Sequence, residues 1–201
     1  MNAIPPLMRR HPRQQSTVFV QIGIAGACLD LLTPDWSPVT LTDIASSLAR
    51  LPRFAGHTLG TYAYSVAQHS ALCAAAVFGE TGDRQLAAAA LLHDGHESAI
   101  GDIPTPVKAA LGAPSVRALE DRLQAALFAR FGLDPQLARQ SEVMLAELRA
   151  LATERRDLLP DSAWPWNRSL PAPWPERIEP VPASRAHAQF LAMAVALGLH
   201  R

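Results

Sequence analysis

Hydrophobic and polar positions along the chain predict one short β-like segment followed by a succession of helices. Residues 1–16 carry Pro5, Pro6 and Pro12 among polar residues without periodicity, which predicts a flexible arm. Between Thr17 and Leu32, Val18, Val20 and Ile22 precede Gly23 and Gly26, and Leu29 and Leu31 follow, the pattern of a small β-hairpin. From there the spacing is helical. Thr42-Asp43 opens a helix through Leu51, closed by Pro52, and a second is predicted from about Thr61 to Phe78, stopped by Gly79. On this second helix Tyr62, Val66, His69, Cys73 and Ala76 share one face, so His69 points inward.

The run Leu86–Leu92, four alanines flanked by leucines, has no polar face and predicts a helix buried all round, ending directly in His93-Asp94. Pro104 and Pro106 restart the chain in a short helix through Leu111, Pro114 opens a helix to Phe131, and Pro135 opens a long one through Leu159. Residues 160–182 hold seven of the 17 prolines together with Trp164, Trp166 and Trp174, which predicts an extended strap anchoring the C-terminal segment. Residues 183–199 form a last amphipathic helix, and Arg155-Arg156 reads as a solvated face. The expectation is an all-α helical bundle with a small N-terminal β-hairpin: one domain over 17–201, its bundle at about 40–160, its strap and last helix at 160–199.

Composition narrows the partners. The 201 residues are 49% apolar and 18% charged, enough for one packed core. Lys and Arg total 18, as do Asp and Glu, so no global positive field exists to hold a nucleic-acid polymer or an anionic membrane surface. Any anionic partner must be caught locally. Cys28 and Cys73 show no CxxC pairing and read as small core residues in a reducing compartment, so the expected location is cytoplasmic. The charge-free run Gln14–Leu29 falls short of the ~20 apolar residues of a membrane span. Arg9, Arg10 and Arg13 ahead of it only loosely imitate a secretory signal.

The chemistry lies in the histidines. His57, His69, His93 and His96 fall within forty residues, and burying an imidazole costs free energy unless it is hydrogen-bonded or ligates something. Asp94, directly after an all-apolar helix, would be an uncompensated buried charge without a cation nearby. Glu97 lies one turn later on the face of His93, and Asp102 follows Gly101. Imidazole and carboxylate together suit Mn, Co, Ni, Zn or Fe rather than Ca.

The segments Tyr64-Ser-Val-Ala-Gln-His69-Ser and Leu91-Leu-His93-Asp94-Gly-His-Glu97-Ser-Ala-Ile-Gly-Asp102-Ile-Pro-Thr-Pro-Val-Lys108 resemble the HD-domain metal-dependent phosphohydrolases, most closely the bacterial 5′-deoxynucleotidase group. The resemblance extends to Leu41-Thr-Asp-Ile-Ala, Arg53-Phe54-Ala-Gly-His57-Thr and Ala150-Leu-Ala-Thr-Glu-Arg-Arg-Asp157-Leu-Leu, roughly residues 30 to 160. It implies that His69, His93 and Asp94 ligate one divalent transition metal, with an acidic residue of a later helix completing the set. Where the family has Asp, this chain has Glu147, which on a helical wheel borders the apolar face beside Leu151 and Leu158; Asp157 is the fallback.

The resemblance further implies that Glu97 orients or deprotonates a water acidified by the metal, that Asp102 is a second acid–base residue near the scissile ester, and that Arg53 binds phosphate. Phe54 stands where an aromatic, often Trp, packs on the sugar. His96 fits a polar lid near the phosphate. His57 serves equally as a surface or capping residue or as a substrate contact, and Lys108 either neutralises phosphate or is an ordinary solvated helix residue. The expected activity is hydrolysis of (deoxy)nucleoside 5′-monophosphates to nucleoside and phosphate, with Mg accompanying the substrate phosphate as a further cation. A dNTP triphosphohydrolase and a catalytically impaired nucleotide-binding module are the alternatives. A homodimer is the assembly the resemblance implies.

Overall fold

Two short antiparallel strands, β1 (Phe19–Ile22) and β2 (Ala27–Asp30), pair Phe19 with Asp30 and Ile22 with Ala27 in a computed structural model that describes residues 18–23, 26–161, 166 and 169–199. The predicted flexible arm lies outside the described residues. Ile22 and Leu29 reach the core, whereas Cys28 points to solvent, correcting the expectation that both cysteines are core residues. The alternation of a strand is the reason: Cys28 and Leu29 occupy opposite faces.

Helix α1 (Leu41–Leu48) begins at a capping box, with the Asp43 amide donating to Thr40 Oγ1 at 3.1 Å and the Thr40 amide to Asp43 Oδ2 at 3.1 Å. It stops at Leu48 rather than Leu51. Helix α2 (Val66–Thr81) starts at Ser65, whose side chain accepts from the Gln68 amide, five residues later than the pattern suggests. Tyr62 therefore lies outside α2 and is exposed, while Val66, His69 and Cys73 keep the predicted inward face. Gly79 sits within α2; the helix ends at Gly82, whose φ of 69° supplies the left-handed cap that a side chain would oppose.

Helix α3 (Arg84–Leu92) is capped by Asp83, and every residue from Leu86 to Leu92 is buried, as the missing polar face requires. It packs against α2, against α7 (Ser141–Leu158) and against α8 (Ala183–Leu197). Between them run α4 (Glu97–Ile100), α5 (Thr105–Leu111) and α6 (Ala113–Arg130). The long helix expected from Pro135 is two pieces, a 3-10 turn over Pro135–Arg139 and then α7, because Gln140 adopts an extended backbone (ψ 148°). One continuous apolar cluster joins the hairpin, α1, α2, α3, α6, α7 and α8. No described helix is long and apolar enough to cross a membrane.

The Pro-rich strap is tied down through its backbone. The Trp174 amide donates to Thr153 Oγ1 at 3.0 Å and the Ile178 amide to Asp157 Oδ2 at 2.8 Å. Arg156 donates to the carbonyls of Trp174 (2.6 Å) and Glu176 (2.9 Å), so it is a clamp rather than a solvated charge. Gln68 on α2 donates to the Glu179 carbonyl at 2.8 Å and accepts from the Val181 amide at 3.1 Å. Trp164 lies outside the described residues.

Hydrogen bonding from Arg156 lowers Asp157 to about 2 against the opposing effect of burial, with the Ile178 amide adding to the shift. Replacing Asp157 with Ala is expected to cost about 1–3 kcal/mol in a urea melt. Because the folded carboxyl is depressed, its contribution is present above the unfolded pKa of about 4 and lost as pH falls through about 2. An acid titration of stability in which wild type and Asp157→Ala converge at the acid end checks the assignment.

Candidate metal centre

His69 stands on the buried face of α2, four residues past Ser65, and His93 ends α3, where its Nδ1 donates to the Ala90 carbonyl at 2.7 Å. A carbonyl only accepts, so His93 carries a proton on Nδ1 and turns Nε2 away from Ala90. His69 Nδ1 likewise donates to Glu154 Oε1 at 2.6 Å. The two Nε2 atoms face each other at 3.3 Å, and Asp94 Oδ2 lies 3.1 Å from that of His93 and 3.7 Å from that of His69. Two imidazole lone pairs and a carboxylate oxygen directed at one point repel one another unless a cation, or a proton, lies among them.

Among the described residues, His69, His93 and Asp94 bring one ligand atom each to within 4.8 Å of one another, a set that could hold a metal ion. The outer hydrogen bonds from both Nδ1 atoms are those that orient metal-binding imidazoles. Burial and Arg53 hold His69 below its usual pKa despite Glu154, which keeps its Nε2 lone pair available. At His93 burial is outweighed by Asp94 and then Glu147, which raise it to about 10.

The turn after α3 is held by Gln124, which donates to the His93 carbonyl at 2.6 Å, and by the Glu97 amide, which donates to the Asp94 carbonyl at 3.0 Å. Gly95 permits it: a Cβ there would lie 2.6 Å from Leu127 Cδ2 and 3.1 Å from the Leu92 carbonyl. Gly95→Ala is expected to destabilise the protein by about 1–3 kcal/mol through overpacking. Thermal unfolding checks this, alongside a titration showing weaker metal binding as the turn shifts.

Arg53 enters from the loop between α1 and α2, its amide donating to the Tyr64 carbonyl at 2.8 Å. Phe54 and Ala55 then adopt positive φ (54° and 51°), a left-handed turn that costs about 1–2 kcal/mol per residue and reverses the chain beside the cluster. The Arg53 guanidinium lies 5.5 Å from the centre of the Phe54 ring, 3.1 Å from Glu154 Oε2 and 3.5 Å from Asp94 Oδ2. Arg53 Nε is buried without a hydrogen-bond partner, as are both ring nitrogens of His96 and Oε2 of Glu97. Burial first, then Asp94 and Asp102, raises Glu97 to about 10. Burial also raises Asp102, against the pull of Arg53.

The remaining expected residues divide. Lys108 forms an ion pair with Glu120 at 2.7 Å, and His57 is exposed at the end of the 3-10 turn Arg53–Gly56. Glu147 raises the pKa of His93 and Cys73 by its charge, yet its carboxylate is not among the atoms within 4.8 Å of one another. Asp157, the fallback ligand, is committed to the strap. Glu154 carries no role in the pattern-based reading, yet it is completely buried at the centre of the site. Its signal was available: Glu154 lies seven residues after Glu147, on the stripe that also buries Val143, Ala146 and Ala150. Surface cavities of about 660 Å³ beside Trp36 and Arg130 and about 460 Å³ beside Arg155 and Trp166 contain none of the cluster residues.

Fold and site together define a mostly helical protein with a compact two-histidine, one-carboxylate cluster. It is 37% identical over 155 residues to the protein YfdR of Escherichia coli K12, a match covering 76% of this chain and 81% of YfdR, and it belongs to the same family. It is also 48% identical over 114 residues to the Rhodobacter capsulatus protein RCAP_rcc00048, covering 55% of this chain and 57% of that protein. Both relatives are described as uncharacterized proteins. No protein-family model matches the chain.

Proposed function

We propose that this protein is an HD-domain metal-dependent phosphohydrolase that hydrolyses the phosphate ester of (deoxy)nucleoside 5′-monophosphates. The observation that carries the reading is the convergence of His69 Nε2, His93 Nε2 and Asp94 Oδ2 on one point, with a guanidinium alongside. A divalent Mn, Co, Ni, Zn or Fe ion held there supplies Lewis acidity for a phosphoryl oxygen and a source of nucleophilic water near neutral pH. The side chains of Asp94 (19% exposed) and Arg53 (14%) are the most open of the set, so an anionic substrate approaches from their side.

Arg53 binds the phosphate through its planar fork, whose Nη1 is held only by the 3.5 Å contact with Asp94. Glu97, buried with one oxygen unpaired, receives or orients a proton of the attacking water, and its ionised form would be favoured by a cation held by His69, His93 and Asp94. Asp102 serves the leaving 5′-oxygen, Phe54 the sugar and His96 the outer phosphate region. Incubating the purified protein with Mn²⁺ or Co²⁺ and a panel of dNMPs and dNTPs tests this. Orthophosphate from a dNMP is the expected product; inorganic triphosphate from a dNTP reassigns the protein as a triphosphohydrolase. A second reading, a nucleotide-binding module without turnover, draws on Glu147 standing outside the compact cluster. Nucleotide binding without hydrolysis under every metal decides for it.

A further inference from the structure

Resting on the reading above, we infer that Glu154 is a positioning residue that ties the phosphate-facing arginine to a metal-facing histidine, so that the two subsites are ordered through one carboxylate. Its two oxygens are divided between them. Oε1 accepts from His69 Nδ1 at 2.6 Å, which fixes the tautomer that leaves Nε2 free for the cluster. Oε2 accepts from Arg53 Nη2 at 3.1 Å, which leaves Nη1 near Asp94 and the Nε edge without a protein partner.

Stability alone does not account for this arrangement. A fully buried carboxylate costs several kcal/mol in lost hydration, and a well-packed apolar side chain in its place is often neutral or stabilising. The specific gain from Glu154 is geometric: it fixes the imidazole tautomer on one side and the orientation of the guanidinium fork on the other. The link also reaches across the fold, from α7 to α2 and to the strained turn at Phe54-Ala55. Displacing the carboxylate therefore disturbs both subsites, even though Glu154 touches neither metal nor phosphate.

The test uses the full chain with Mn²⁺ alone and then with inorganic phosphate at saturating Mn²⁺, both titrated calorimetrically. Glu154→Gln keeps the shape and removes the charge. It is expected to weaken Mn²⁺ binding about 10–100-fold and, with Mn²⁺ saturating, to weaken orthophosphate binding about tenfold or more. Unchanged orthophosphate affinity at saturating Mn²⁺ overturns the inference, because Glu154 would then serve His69 alone. Arg53→Lys reads the same link from the other end and does not depend on the glutamine variant folding. Lysine keeps the charge and loses the fork, so Mn²⁺ affinity is expected to fall although no proposed ligand has changed. Wild-type Mn²⁺ affinity in that variant overturns the coupling. A wild-type protein that binds no Mn²⁺ overturns the metal reading itself, and this inference with it; one that binds Mn²⁺ while the two variants match it overturns only the inference.

Discussion

His93→Ala is expected to remove divalent-metal binding and hydrolysis together. The side chain contributes one of the two Nε2 atoms that face each other at 3.3 Å, and its Nδ1 is already committed to the Ala90 carbonyl. No other described histidine joins the cluster. The loss should exceed the ~10–100-fold penalty of disturbing a residue that only orients a ligand. Glu97→Ala is the contrasting variant: metal content stays at the wild-type level while kcat falls by about 10²–10⁴, the range of a lost general acid or base. Metal content by elemental analysis and initial rates on a dNMP, measured on both variants, separate the roles. Equal metal loss in the two would make Glu97 a ligand.

The second large effect concerns stability. Arg53→Ala leaves Glu154, completely buried, without its main cationic partner, and Asp94 loses a guanidinium 3.5 Å away. Removing one member of a buried pair costs about 3–5 kcal/mol, so the urea midpoint should fall sharply. Burial opposes ionisation of Glu154, but Arg53 and then His69 overcome it and lower its pKa to about 2. In the wild type, that contribution is therefore full above about 4.3 and lost as pH falls through about 2. Without Arg53 the depression shrinks, and the acid limb of the stability profile should move to higher pH. Coincident acid limbs in the two proteins would show that Arg53 does not hold Glu154 ionised.

Local signals in the chain were enough for the parts of the fold that depend on them. The apolar run Leu86–Leu92 has one physical solution, a helix buried on every side, and α3 is that helix. Asp94 directly after it had to be compensated, and His69, His93 and Arg53 surround it. The misplaced boundaries come from weaker cues. Tyr62 fits the helical period of α2, but Ser65 supplies the cap that starts the helix, and Gly79 stays helical while Gly82 takes the left-handed conformation that ends it. The place of Glu154 on the buried stripe of α7 was legible but its partners were not: flanked by Thr153 and Arg155-Arg156, it reads as one more polar residue of an amphipathic helix. Its partners lie 85 and 101 residues away along the chain, beyond the reach of any periodicity.

Those separations bear on how the protein is made. The contacts that complete the site and its strap close loops of 85 residues (His69 to Glu154), 101 (Arg53 to Glu154), 111 (Gln68 to Glu179) and 113 (Gln68 to Val181). Chain entropy is spent before such contacts return anything, so they belong to the late stages of folding. On the ribosome, His69, His93 and Asp94 all emerge before Glu154, and α1, α2 and α3 wait for α8, and α2 and α3 for α7 as well, to pack against them. A nascent chain thus holds every residue of the cluster while lacking the carboxylate that sets the tautomer of His69, and tautomer control arrives only once α7 has been made.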